Sequence, residues 1–153
     1  MRIIGIDPGQ TTGIVTIDVG DGDITVVGRQ HIGSLQVGNL LWAELTAAPA
    51  SVAMERFNIS QRTLRDTRGG SLEALYTIGV VRYVCANAKA PCVLQEPATA
   101  KHALNDDVLR SLGFWDAVAG PHERDALRHA LLYARTQKLW KGTPNEAHSH
   151  HHA

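Results

Sequence analysis

Three strand-patterned segments fall within the first 31 residues, and the short connections between them constrain the fold more than any other feature of the chain. Residues 2–7 (RIIGID) form an apolar run closed by Pro8 and Gly9, which reads as a buried strand ending at Asp7. Residues 13–19 (GIVTIDV) alternate and are β-branched, and residues 24–31 (ITVVGRQH) repeat the pattern after the turn Gly20-Asp21-Gly22-Asp23. Parallel pairing needs a long crossover, so links this short predict two hairpins and a three-stranded antiparallel meander.

Beyond residue 36 the periodicity changes. Leu40, Leu41 and Leu45 recur at helical spacing in residues 37–47, before Pro49. Residues 51–55 (SVAME) form another short strand, ending at Glu55. A long helix is predicted over 71–88 after Gly69-Gly70, a last strand over 92–95 before Pro97, and short helices over 98–104 and 106–112. The final helix opens at Pro121, a favoured first helical position, and runs to Trp140 with Leu127, Ala130, Leu131 and Ala134 on one face. The order βββαβαβα predicts an α/β fold, a five-stranded mixed sheet with helices on both faces.

A chain of 153 residues with 44% hydrophobic content can bury one sizeable core, and residues 1–141 are expected to form a single domain. Residues 142–153 (GTPNEAHSHHHA) read as a disordered histidine-rich tail or a tag remnant. No apolar run approaches the roughly 18 residues of a membrane span, and the N-terminus lacks a signal-peptide pattern, so a cytoplasmic protein with no membrane partner is expected. Cys85 and Cys92 have no metal-ligand spacing and are too few for a disulfide framework, so both are expected to act as small buried hydrophobes.

The formal net charge is zero, which argues against a nucleic-acid partner until its distribution is considered. Residues 1–55 contain two basic and six acidic side chains, whereas residues 56–96 contain six basic and three acidic. The densest basic stretch, Arg56, Arg62, Arg65 and Arg68, lies in an aperiodic segment ending in Gly-Gly, the pattern of a phosphate-binding loop.

Acidic residues occupy positions where α/β folds collect chemistry. Asp7 and Glu55 end two strands, and Asp125 lies in the first turn of the last helix with His122 three residues earlier on the same face. Oxygen-rich donor sets of this kind suit Mg²⁺ or Mn²⁺, and two such ions about 3.5–4 Å apart can hold both the attacking and the leaving oxygen of a phosphodiester. Glu96, Asp106, Asp107 and Asp116 read as surface acids, and His129, one turn after Asp125, as a core or supporting histidine.

Four segments carry a resemblance: IIGIDPGQTTGIV at the first hairpin, VAMERF around Glu55, PATAK ending at Lys101, and HERDALRHAL at 122–131. In order and spacing they resemble the RuvC family of Holliday junction resolvases, members of the RNase H-like superfamily, and the short chain is similar to the bacteriophage type. The resemblance implies a Mg²⁺-dependent endonuclease, with Mn²⁺ as a substitute, that cleaves four-way and related branched DNA in a bacterial cell or phage-infected host. Asp7, Glu55, Asp125 and His122 would be the catalytic metal ligands, Asp7 bridging two ions, with His122 alternatively moving a proton. Lys101 would contact the scissile phosphate. Phe57, near the position of an aromatic wedge, would join Arg56, Arg62, Arg65, Arg68 and Lys101 on the DNA. The helix over 71–88 is apolar around more than one stripe, and the resemblance implies a homodimer paired through Leu72, Leu75, Ile78 and Val81. Three other readings share features: a YqgF-type RNA nuclease with the same first hairpin, a non-catalytic branched-DNA-binding protein, and the ATP-binding sugar kinase and actin superfamily. The last needs two lobes, which the length excludes.

Overall fold

A central strand must be apolar on both faces, and RIIGID is the segment of this chain that meets the requirement most fully. In the computed structural model, which describes residues 1–58 and 70–142, β1 (Arg2–Asp7) is the middle strand of a five-stranded sheet. Arg62, Arg65, Arg68 and the histidine-rich segment 143–153 lie outside the described residues. The strand order is β3-β2-β1-β4-β5, where β2 is Thr11–Gly20, β3 Asp23–Gly33, β4 Ala50–Glu55 and β5 Cys92–Gln95. The first three strands form the expected antiparallel meander, and β4 and β5 extend the sheet in parallel with β1. The helical segments among the described residues are α1 (Ser34–Ala47), α2 (Gly70–Ala88), α3 (Pro97–Ala103), α4 (Asp106–Ser111), a 3₁₀ turn (Trp115–Ala117) and α5 (Pro121–Thr136).

The pleat sends alternate residues to two separate core layers. Ile3, Val15, Ile17 and Ala53 face α5, meeting Ala126, Leu127, Ala130 and Leu131. Ile4, Ile6, Val52 and Met54 face the other way, toward Val37 and Leu41 of α1 and Val81, Val84 and Cys85 of α2. This alternation decides where the strand-end acids point. Asp7 and Glu55 share the parity of Ile3 and Ala53, so both emerge on the α5 side of the sheet.

Two glycines allow α5 to lie hard against that face. A Cβ at Gly5 would sit 2.0 Å from the Ala126 carbonyl oxygen, and one at Gly13 would sit 2.2 Å from the His122 carbonyl oxygen. Both obstacles are backbone, so no side-chain adjustment relieves them.

The largest departures from the expected boundaries are at two helix ends, while the other elements shift by one or two residues, as β2 and β3 do. α1 begins at Ser34 instead of residue 37, because Ser34 is buried and its hydroxyl hydrogen-bonds Glu73 of α2. α5 ends at Thr136 instead of Trp140, since Lys138 takes a left-handed backbone that no helix continues through. Trp140 still reaches the core, edge-on to Phe114. No helix among the described residues is long and apolar enough to cross a membrane.

Candidate active site

Parallel pairing carries the strand register directly into the site. Gly5 pairs with Ala53 and Ile6 with Met54, so one step further along β1 and β4 Asp7 and Glu55 are neighbours. Glu55 in turn pairs with Gln95. The C-terminal edge of β1, β4 and β5 thus presents a polar row, Asp7, Glu55 and Gln95, beneath the first two turns of α5.

Each member of the row meets a side chain from the helix. His122 Nδ1 lies 2.7 Å from Asp7 Oδ2. His129, almost wholly buried, spans the other two, with Nε2 3.2 Å from Glu55 Oε2 and Nδ1 2.8 Å from Gln95 Oε1. An ionised Glu55 can only accept, so Nε2 donates to it, and the amide of Gln95 can satisfy Nδ1 in either orientation. Asp125 is flanked by two cations. Lys101 Nζ of α3 approaches its Oδ2 at 3.0 Å, and Arg128 bonds its Oδ1. Arg128 is itself buried and also binds Asp106 and the Leu104 carbonyl oxygen, tying α5 to α3 and α4. The outer face of His122 stacks on the His31 ring of β3, with centroids 5.8 Å apart.

The electrostatics show that the acids act on one another. Burial raises the pKa of Asp7 to about 6; the hydrogen bond with His122 opposes the rise, and the charges of Glu55 and Asp125 add to it. Lys101 shows the complementary response. Partial burial works to lower its pKa, but Asp125, with help from Glu55 and Asp7, holds it above the ordinary lysine value. The three carboxylates therefore share one field, with their negative charge incompletely offset.

Among the described residues no three His, Cys, Asp or Glu side chains converge closely enough, as they stand, to hold one ion. Each acid is engaged by its own neighbour instead: Asp7 by His122, Glu55 by His129, Asp125 by Lys101 and Arg128. The donor chemistry nevertheless fits a hard divalent cation. Three carboxylates and an imidazole line one edge, and Asp7 is short of positive charge. A cavity of about 520 Å³ bordered by Lys101, Asp106, Asp125 and Arg128 opens beside them.

Five of the residues singled out from the sequence, Asp7, Glu55, Lys101, His122 and Asp125, thus meet at one place. Arg56 and Phe57 do not join them. Arg56 is exposed and ion-paired with Glu96 at 3.1 Å, and Phe57 borders a separate cavity near Arg82 and Cys92. Val81, expected at a dimer interface, is fully buried in the core layer shared with α1, and Leu75 and Ile78 are partly buried. The apolar groups that α2 exposes are Leu72, Tyr76 and Tyr83. Sequence reasoning missed Gln95 and Arg128. Gln95 ends a strand just as Asp7 and Glu55 do, and Arg128 stands three residues after Asp125, the spacing of a helical ion pair. Asp106 is an exposed acid, as expected, but is also one of three acceptors of the buried Arg128.

Comparison with protein-family models gives no match, and neither does comparison with curated protein sequences. Solved structures do match. Thermus thermophilus RuvC superposes with a TM-score of 0.71 at 22% identity, covering 90% of this chain and 97% of that one. T. thermophilus RuvC in complex with Holliday junction substrate gives 0.70 at 23% identity, over 89% and 96%. Fowlpox virus resolvase in complex with substrate Holliday junction DNA gives 0.54 at 12% identity, over 90% and 99%. The mixed sheet flanked by helices on both sides is the RuvC, RNase H-like fold.

Proposed function

We propose that the chain is a Mg²⁺-dependent endonuclease that resolves four-way DNA junctions as a homodimer. The observation that carries this reading is the proximity of Asp7 and Glu55 at one sheet edge to His122 and Asp125 of the helix above it, with the acids within one another's field, on a fold shared with two junction resolvases. Asp7, Glu55, Asp125 and His122 would hold divalent ions there, which would supply Lewis acidity and an activated water.

The chain's own groups set the conditions for that chemistry. Asp7 is anchored on the central strand and buried, so its carboxylate cannot wander, and His122 holds one of its oxygens. His129 fixes the carboxylate of Glu55 from below. Lys101 is half-exposed beside Asp125, placed to leave that acid for a phosphate oxygen, while Arg128 stays behind to keep Asp125 oriented. The expected arginines of residues 56–68 would extend the phosphate contacts. A second copy would pack on the α2 face bearing Leu72, Tyr76 and Tyr83, and its twofold axis would match that of a junction needing two symmetric nicks.

The test is incubation of the protein with synthetic four-way, forked and linear DNA at matched salt, with and without Mg²⁺. Paired symmetric nicks in the four-way substrate alone, lost in Asp7→Asn while junction binding persists, support the reading. Metal-independent cleavage, or cleavage by Asp7→Asn, would sink it. Cleavage of structured RNA in place of the junction would indicate the YqgF-type activity, and junction binding without any cleavage a non-catalytic protein.

A further inference from the structure

The two cysteines lie on the opposite side of the sheet from the acids, and the chain is built to bring them together. Near the end of α2 the Ala90 amide donates to the Cys85 carbonyl oxygen at 2.9 Å, and Lys89 takes a left-handed backbone (φ 54°) that reverses the chain. The Pro91 carbonyl oxygen then accepts from the Val52 amide at 2.8 Å, which seats Cys92 opposite Val52 at the start of β5. The outcome is two cysteines in one apolar cluster, bordering one cavity of about 760 Å³ with Arg82, Phe57 and Leu94.

Their surroundings differ. Cys85 is almost fully buried, whereas Cys92 is half-buried at the cavity wall. The neighbouring thiol and burial push the Cys85 thiol up, while the same neighbour and the Arg82 charge hold the Cys92 thiol below the usual cysteine value. Cys92 is thus the sulfur reachable from the cavity, and Cys85 lies buried behind it.

We propose that Cys92 and Cys85 form a reversible, peroxide-driven disulfide, with Cys92 as the attacking thiol and Cys85 as the resolving one. The Cys92 thiolate attacks one peroxide oxygen, the O–O bond breaks, and the departing hydroxide takes up the thiol's proton as water. Cys92 is left as a sulfenic acid. The Cys85 sulfur then attacks Cys92, the S–O bond breaks, and the hydroxyl leaves with the Cys85 proton as a second water. Two thiols are oxidised, one peroxide is reduced to two waters, and a dithiol reductant reverses the bond. The link would tie the end of α2 to β5, beside Arg56 and Phe57, without involving the carboxylate site.

Trypsin gives a direct test, because Lys89 lies between the two cysteines and cleavage there separates them unless they are bridged. The full-length protein is treated with hydrogen peroxide, alkylated, digested and mapped by mass spectrometry. The expected result is that peptides 83–89 and 90–101 stay joined, lighter by two hydrogens than their sum, and separate on reduction. Without peroxide, iodoacetamide should label Cys92 well before Cys85. Cys85→Ala should stop at a Cys92 sulfenic acid that dimedone traps, and Cys92→Ala should resist oxidation under the same conditions. Separate peptides from peroxide-treated wild type, with the thiols free or over-oxidised to sulfinic acid, would overturn the proposal, as would a disulfide only between chains. The readout needs no DNA and no metal, so it stands or falls independently of the nuclease reading.

Discussion

At the scale of single residues, Asp7 departs furthest from the behaviour of its free side chain. With a folded pKa of about 6 against 3.8, the folded state holds a proton that the unfolded chain has already released. Asp7 therefore imposes no penalty below pH 3.8, a growing one as pH rises toward 6, and above that a constant cost of up to about 3 kcal/mol. Asp7→Asn should consequently melt several degrees higher than wild type at pH 8 without divalent ions, and at the same temperature near pH 4; equal melting at pH 8 would remove the electrostatic argument. Divalent ions should offset the same cost. Mg²⁺ should raise the melting temperature of wild type but not of Asp7→Asn, and calorimetry should show ion affinity climbing as pH passes through about 6, since a ligand carboxylate must be deprotonated. Asp7, Glu55, His122 and Asp125 were legible in the sequence because strand ends and helical spacing are local properties. Gln95 and Arg128 were not, because a polar residue's role depends on partners that only the folded chain supplies.

At the scale of elements, the site is as good as the seating of α5 on β1 and β2. Gly5→Ala or Gly13→Ala would drive a methyl group into helix backbone, so each should lose more than about 3 kcal/mol of stability by denaturant titration, well beyond an ordinary surface change. Near-wild-type stability in both would mean the seam is looser than described. Arg128 gives a second test of the same joint. Arg128→Met preserves bulk but leaves Asp125 without its buried partner and α3 and α4 without their tie, and a loss of about 3 kcal/mol is expected from breaking such a pair. All five strands and both long helices could be read from periodicity and turn residues. The two largest boundary shifts have different causes: the tertiary bond from Ser34 to Glu73 lengthened α1, and the local left-handed backbone at Lys138 shortened α5.

At the scale of the whole molecule, neutrality and DNA binding are compatible because the charges are segregated. Asp7, Glu55 and Asp125 gather at one site, while the basic excess lies in residues 56–141. Junction affinity should fall on the order of ten-thousandfold between about 50 and 200 mM salt if each protomer of the proposed dimer neutralises roughly four phosphates, and a flat dependence would contradict a phosphate-dominated interface. The proposed dimer belongs to this scale as well. Leu72 and Tyr83 are 67% and 72% exposed, and Leu72→Glu with Tyr83→Glu should turn a dimer into a monomer in sedimentation while leaving the melting temperature nearly unchanged. The breadth of the apolar surface on α2 could be seen in the sequence, but its division between an inner face through Val81 and an outer one could not, since periodicity does not say how far a helix is rotated. Because Gly5 and Gly13 admit a hydrogen atom and nothing larger, selection for foldability alone, blind to any chemistry, already preserves the spacing between the sheet edge and α5. A lineage carrying this seam could lose or exchange its acids one at a time and still keep the backbone frame that positions them.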